Sequence, residues 1–236
     1  MVFGVIVAGG VGSRMGADIP KQFLMLGEQP IIIRTLQTFL DCSALDEVYV
    51  GIHPEWMTYM ENLVGEYIPE ADWGHIHLTA GGSERNDTIM NVIGQIESDF
   101  GNAETHYIIT QDGVRPFVTV DLIERHVEAV QKYDAVDTVI PAVDTIILSE
   151  DGEVIDSIPE RRFLYQSQTP QSFRMDLLKD RFGKLSEEEK AILTDACKIC
   201  TVSGVPVHLV RGSVSNLKIT TTADLQIAEA VIDRMA

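Results

Sequence analysis

The chain has 236 residues, 45% of them hydrophobic, with 18 Lys and Arg against 36 Asp and Glu, for a formal charge of −18. That is enough apolar material for a sizeable core, while the acidity argues against nucleic acid, whose phosphates need clustered Lys and Arg. Any site for an anionic ligand must therefore gather cations locally. Apolar runs are too short to span a bilayer, and Gly9-Gly10 breaks the apolar start a signal peptide would need, so a cytoplasmic protein without a membrane partner is expected.

The first predicted element, Val2–Ala8, is a strand that ends in a glycine-rich turn, Gly9-Gly10-Val11-Gly12-Ser13-Arg14-Met15-Gly16, with Pro20-Lys21 just beyond. Glycines let backbone N–H groups approach a ligand closely, and with Arg14 and Lys21 nearby the turn points to a polyphosphate. It is not a Walker loop, because Lys21 follows Pro20. Nor does it fit the dinucleotide fingerprint, whose third glycine position is Met15 and whose later acidic residue is missing at Ile31–Arg34.

Helices are predicted at Ile31–Leu40, Glu55–Tyr67, Glu84–Glu97 and Val120–Tyr133, alternating with strands at Val48–Ile52, Ile76–Thr79 and Tyr107–Thr110. This rhythm predicts one α/β domain, doubly wound about a mostly parallel sheet. The rhythm breaks at Ala135. Short β-like pieces follow at Ala135–Pro141, Thr145–Leu148, Val154–Ile158 and Phe163–Gln168, consistent with a projecting β-hairpin arm at about 142–168 that serves dimerisation. Further helices are expected at Met175–Phe182, Ser186–Val202 and Thr222–Met235, with a strand at Val207–Arg211. Cys197 and Cys200 have CxxC spacing but no second pair or histidines beside them, so they read as buried thiols on a helix face.

Ligands of open α/β sheets bind beyond the carboxyl ends of strands. Besides the opening turn, two unusual segments occupy such ends. Gly81-Gly82-Ser83-Glu84-Arg85-Asn86-Asp87-Thr88 is a glycine turn entering a helix, whose N–H groups can meet a base edge or an anion. Gln111-Asp112-Gly113-Val114-Arg115-Pro116-Phe117 puts a carboxylate where Mg²⁺ can sit and an arginine where it can grip a phosphate.

Together with Tyr165-Gln-Ser-Gln-Thr-Pro-Gln171, Leu193-Thr-Asp-Ala196 and Asn216-Leu-Lys-Ile-Thr220, these segments resemble a cytidylyltransferase family across essentially the whole chain. That family contains the 2-C-methyl-D-erythritol 4-phosphate and ribitol-5-phosphate enzymes, and the wording at Arg85–Asn91, Tyr165–Phe173 and Leu193–Cys200 is closer to the ribitol branch. The resemblance implies a Rossmann-like nucleotidyltransferase fold and a homodimer. It also implies Mg²⁺-dependent transfer of a cytidylyl group from CTP to D-ribitol 5-phosphate, with methylerythritol 4-phosphate as the alternative acceptor.

Residue by residue it implies catalytic roles for Arg14, Lys21 and Lys218. Nucleotide contacts fall to Ala8, Gly9, Gly10, Gly81, Gly82, Arg85 and Thr88, with Arg85 near the base. Acceptor contacts fall to Asp112, Arg115, Thr145, Arg161, Thr169 and Thr194, with Asp112 also the metal ligand and Arg161 reaching toward a neighbouring subunit. One departure is Gly113, where the family generally carries Ala or Ser; losing that Cβ is expected to loosen the turn. Two rivals are a hexose-1-phosphate nucleotidyltransferase, since the opening turn is shared more widely, and a nucleotide-sensing binding protein.

Overall fold

A computed structural model describes residues 1–10 and 19–234. Its frame is a seven-stranded sheet ordered β5-β4-β1-β6-β8-β7-β9. The strands are β1 (Val2–Ala8), β4 (Glu47–Ile52), β5 (Ile76–Ala80), β6 (Tyr107–Asp112), β7 (Ala135–Pro141), β8 (Tyr165–Arg174) and β9 (His208–Arg211). β2 (Met25–Leu26) and β3 (Gln29–Pro30) pair separately. Only β8 runs against its neighbours, so the sheet is mostly parallel, as expected.

β1 is apolar along its whole length because both its faces are covered. Val2, Ile6 and Ala8 join one core with α1 (Ile31–Leu40), α2 (Met57–Tyr67) and α4 (Val120–Tyr133). Phe3 and Val5 join the opposite core with α3 (Arg85–Phe100), α5 (Met175–Lys184) and α7 (Ala196–Val202). The chain goes from β1 to β4 on one side and later places β6 on the other, which creates a topological switch point at β1/β6.

Three expectations need correction. The single helix at Ser186–Val202 is two, α6 (Glu187–Ala191) and α7, because Asp195 accepts the Lys198 N–H and starts a new helix. The last helix, α8, runs Thr222–Ile232, and the Met235 end of that expectation lies outside the described residues. Residues 142–164 do form an exposed arm between β7 and β8, but Thr145–Leu148 and Val154–Ile158 are not strands. Among the described residues one antiparallel bridge, Leu148 to Ser157, joins them.

Candidate active site

Val7 on β1 pairs with Asp112 on β6, so the turns after both strands open into one crevice. A cavity of about 310 Å³ fills it, walled by Ala8, Gly9, Gly10, Lys21, Gly82, Arg85, Thr88, Asp112 and Lys218. Gly9 is required by close approach and not by a positive φ, since a Cβ there would lie 2.8 Å from Thr88 Oγ1. Gly81 stands behind Gly9 and donates to the Ile52 carbonyl at 2.7 Å. Arg14 lies outside the described residues.

Gln22, to which no role was assigned from sequence, pins this turn. Buried at 2% exposure, its Nε2 donates to the Ala8 carbonyl at 2.9 Å and the Gly10 carbonyl at 3.0 Å. Its signal was present in Pro20-Lys21-Gln22-Phe23, where a polar side chain is flanked by residues that fold into a single 3-10 turn at Lys21–Phe23.

The glycine turn entering α3 uses two of its N–H groups internally. Gly82 N–H already donates to Thr88 Oγ1 at 3.0 Å and Glu84 N–H to Asp87 Oδ2 at 3.2 Å. Thr88 Oγ1 in turn donates to the Glu84 carbonyl at 3.1 Å.

Arg85 is turned toward Asp112, with Nε 3.0 Å from Oδ1. Lys218 Nζ lies 2.9 Å and Arg115 Nε 3.5 Å from Oδ2. Burial alone would push the Asp112 carboxyl up, but Arg85, Lys218 and Arg115 outweigh it and hold the group well below the usual carboxylate range. Three cations against one carboxylate leave two positive charges at the junction, which answers the overall −18. The two terminal nitrogens of Arg85 are buried without a hydrogen-bond partner among the described residues, which suits an incoming anion.

Arg85, Asp112 and Lys218 also wall a second cavity of about 170 Å³, completed by Arg115, Ser167, Gln168, Thr169, Gln171, Thr194 and Asp195. Arg115 is only 8% exposed, and its Nη1 donates to the Asn216 carbonyl at 2.8 Å. Thr169 Oγ1 accepts from Asp112 N–H at 3.1 Å, and Asn216 Nδ2 holds the Thr169 carbonyl at 2.7 Å. The Asn216–Lys218 loop therefore carries one cation and braces two more site residues.

Thr145 and Arg161 do not reach either cavity of their own chain. Both stand on the exposed arm, where Arg161 Nη1 donates to the Val143 carbonyl at 2.8 Å. Gly113 lies against β1. Its N–H donates to the Val7 carbonyl at 3.0 Å, and a Cβ would sit 3.3 Å from Ala8 Cβ and Ile6 Cγ2. The turn packs tightly against β1.

Comparisons with known proteins agree with this geometry. The family model of IspD, 2-C-methyl-D-erythritol 4-phosphate cytidylyltransferase, matches residues 2–234. Ribitol-5-phosphate cytidylyltransferase of Streptococcus pneumoniae serotype 2 is 45% identical over 235 residues, covering 99% of this chain and all of that protein. The crystal structure of 4-diphosphocytidyl-2C-methyl-D-erythritol synthase from Anaerococcus prevotii superposes with a TM-score of 0.82 at 26% identity, covering 99% of this chain and 96% of that one. The 2-C-methyl-D-erythritol 4-phosphate cytidylyltransferase of Thermus thermophilus gives 0.73 at 28%, covering 99% and 100%. With its paired cavities at the switch point and a match spanning nearly every residue, the chain belongs to the IspD family of cytidylyltransferases.

Proposed function

We propose that the chain transfers a cytidylyl group from CTP to D-ribitol 5-phosphate, forming CDP-ribitol and pyrophosphate. The observation that carries this choice of acceptor is the full-length 45% identity to the pneumococcal ribitol-5-phosphate enzyme, against 26% and 28% for the two methylerythritol enzymes. CTP occupies the larger cavity, held by Ala8, Gly9, Gly10, Gly82 and Thr88 with Gly81 behind them, and its triphosphate meets Arg14 and Lys21. The polyol phosphate occupies the smaller cavity, its phosphate toward Arg115, Lys218 and Arg85 and its hydroxyls toward Thr169 and Thr194.

The acceptor phosphate oxygen is already anionic, so no protein base is needed. It forms a bond to the α-phosphorus of CTP as the bond to the bridging oxygen of pyrophosphate breaks. The barrier is the meeting of two anions, which the cations at Asp112 lower by positioning and by charge. Mg²⁺ fits this chemistry as a cofactor, adding charge neutralisation at the phosphates. Among the described residues no cluster of three or more His, Cys, Asp or Glu is arranged to hold a metal. Among the described residues Asp112, ionised and buried, would be the group to hold it, in place of some of the cations that pair with it, with phosphate oxygens and water supplying further ligands.

The exposed apolar arm supports a homodimer in which Arg161 and Thr145 serve a neighbouring site. A cytoplasmic location fits the substrates, and among the described residues no helix is long and apolar enough to cross a membrane. The family model's own description favours methylerythritol 4-phosphate as a second reading. Pyrophosphate release with CTP and each polyol phosphate decides between them. The expected kcat/KM is at least about tenfold higher for ribitol 5-phosphate, and preference for the branched erythritol phosphate overturns the assignment.

A further inference from the structure

The acceptor cavity has two chemically opposite ends. Arg85, Arg115 and Lys218 surround Asp112 at one, while Ser167, Gln171 and Asp195 line the other. The three ion pairs of the cavity all go to Asp112; among the described residues neither Asp195 nor Asp137 behind it has one.

Asp137 comes from β7 and Asp195 from the cap of α7, yet a single amide holds both. Gln171 Nε2 lies 3.0 Å from Asp137 Oδ1 and 3.0 Å from Asp195 Oδ2. Ser167 Oγ is 3.0 Å from Asp137 Oδ1 and 3.5 Å from Asp195 Oδ2. Gln171 is 1% and Asp137 7% exposed, and Gln171 Oε1 is buried with no partner among the described residues. Two carboxylates sharing one amide without a cation repel each other and cost stability. Capping α7 needs only Asp195 Oδ1, which accepts Lys198 N–H at 2.9 Å.

A carboxylate offers only acceptors. What this end of the cavity can take is a donor without negative charge, and a phosphate is repelled from it. A molecule with a phosphate at one end and hydroxyls at the other matches both ends at once. We propose that Asp195, held against Asp137 by Gln171 and Ser167, is a specificity-determining residue that accepts hydrogen bonds from the acceptor's hydroxyls remote from its phosphate. The inference rests on the polyol-phosphate reading of the cavity. A site built to bond a hydroxyl rejects analogues that lack one there, because its acceptors are left unpaired. Ribitol 5-phosphate carries a hydroxyl on every carbon but the phosphorylated one. Methylerythritol 4-phosphate has a shorter main chain and a methyl branch.

The full-length enzyme is assayed by pyrophosphate release with both polyol phosphates, comparing wild type, D195N and S167A. D195N keeps an oxygen for the helix cap and replaces the charged oxygen with an amide of equal size. The expected result is a KM for ribitol 5-phosphate raised about tenfold or more in D195N, and in the same direction in S167A. KM for CTP and kcat stay within about twofold, and preference over methylerythritol 4-phosphate shrinks by the same factor. An unchanged KM, an equal loss with both acceptors, or a raised KM for CTP overturns the proposal. If wild type itself prefers methylerythritol 4-phosphate, the acceptor assignment fails. If wild type prefers ribitol 5-phosphate and both variants keep that preference, the hydroxyl-reading role alone fails.

Discussion

Asp112 shows what a single residue can and cannot reveal in sequence. Its place after an apolar strand and three residues before Arg115 marked it as a site carboxylate. The convergence of Arg85 and Lys218 on it was not visible, because those cations come from α3 and from a loop after β9. Asp137 was not legible at all, since an aspartate within Ala135–Pro141 reads as one polar position on a strand. In the fold it is buried, and burial pushes its carboxyl up to about 6, opposed by hydrogen bonds from Gln171 and Ser167 and aided by nearby Asp195. A carboxyl raised above its unfolded value near 3.8 keeps more protons in the folded state. Its contribution to stability is therefore complete below that pH and is lost as pH rises through about 6. D137N removes this loss. Urea-unfolding free energies measured from pH 4 to 8 should show the variant gaining on wild type by about 2–3 kcal/mol between pH 4 and 7, then running parallel. A constant difference across that range would show that Asp137 is not raised.

At the scale of elements, α1 and α4 fall where periodicity and flanking residues put them, whereas β8 was read too short. Thr169-Pro170-Gln171 looks like a loop, because Pro lacks the N–H that a central strand uses. The strand continues past it because pairing with β7 slips: Asp137 opposes Gln171, but Val139 opposes Ser167, leaving Thr138 against the three residues between. This bulge is what lifts Thr169 onto Asp112, and a buried network braces it from below. Thr138 Oγ1 donates to the Pro170 carbonyl at 2.6 Å, so it must accept from His126 Nε2 at 2.7 Å. His126 Nδ1 then accepts from the Ser172 hydroxyl at 2.6 Å. The imidazole is neutral, because burial, with Arg125 adding to it, lowers its pKa to about 3. H126A leaves two buried hydroxyls short of a partner and should cost about 3 kcal/mol at pH 7. A depressed histidine stabilises fully above its unfolded value near 6.5 and loses that contribution as pH falls toward 3, so the deficit should narrow in acid. The same variant should raise KM for the acceptor more than for CTP, since Thr169 belongs to the acceptor cavity. Denaturation curves that coincide with wild type would remove His126 from the support of this turn.

At the scale of the whole molecule, one chain assembles both cavities yet leaves two residues implied for acceptor binding, Thr145 and Arg161, on an arm outside them. That arm also exposes Val143 at 74%, Phe163 at 68% and Val154 at 64%. Apolar side chains this open gain free energy only by being covered. The −18 charge of each chain opposes association at long range, so a dimer formed through the arm would draw its attraction from apolar contact. If the arms cover each other, Arg161 of one chain can complete the cavity of the next. V154D/F163D puts charge into that contact without touching either cavity. Sedimentation velocity should then show a dimer for wild type and a monomer for the variant. CTP binding uses groups from one chain and should stay within about twofold, whereas kcat/KM for the polyol phosphate should fall by about 10²-fold, as expected when a positioned cation is removed from a developing charge. A monomeric wild type with full turnover would separate the arm from catalysis, and Arg161 with it. A monomeric variant that retains the acceptor's kcat/KM would keep the dimer and confine the chemistry to the residues one chain brings together at Asp112.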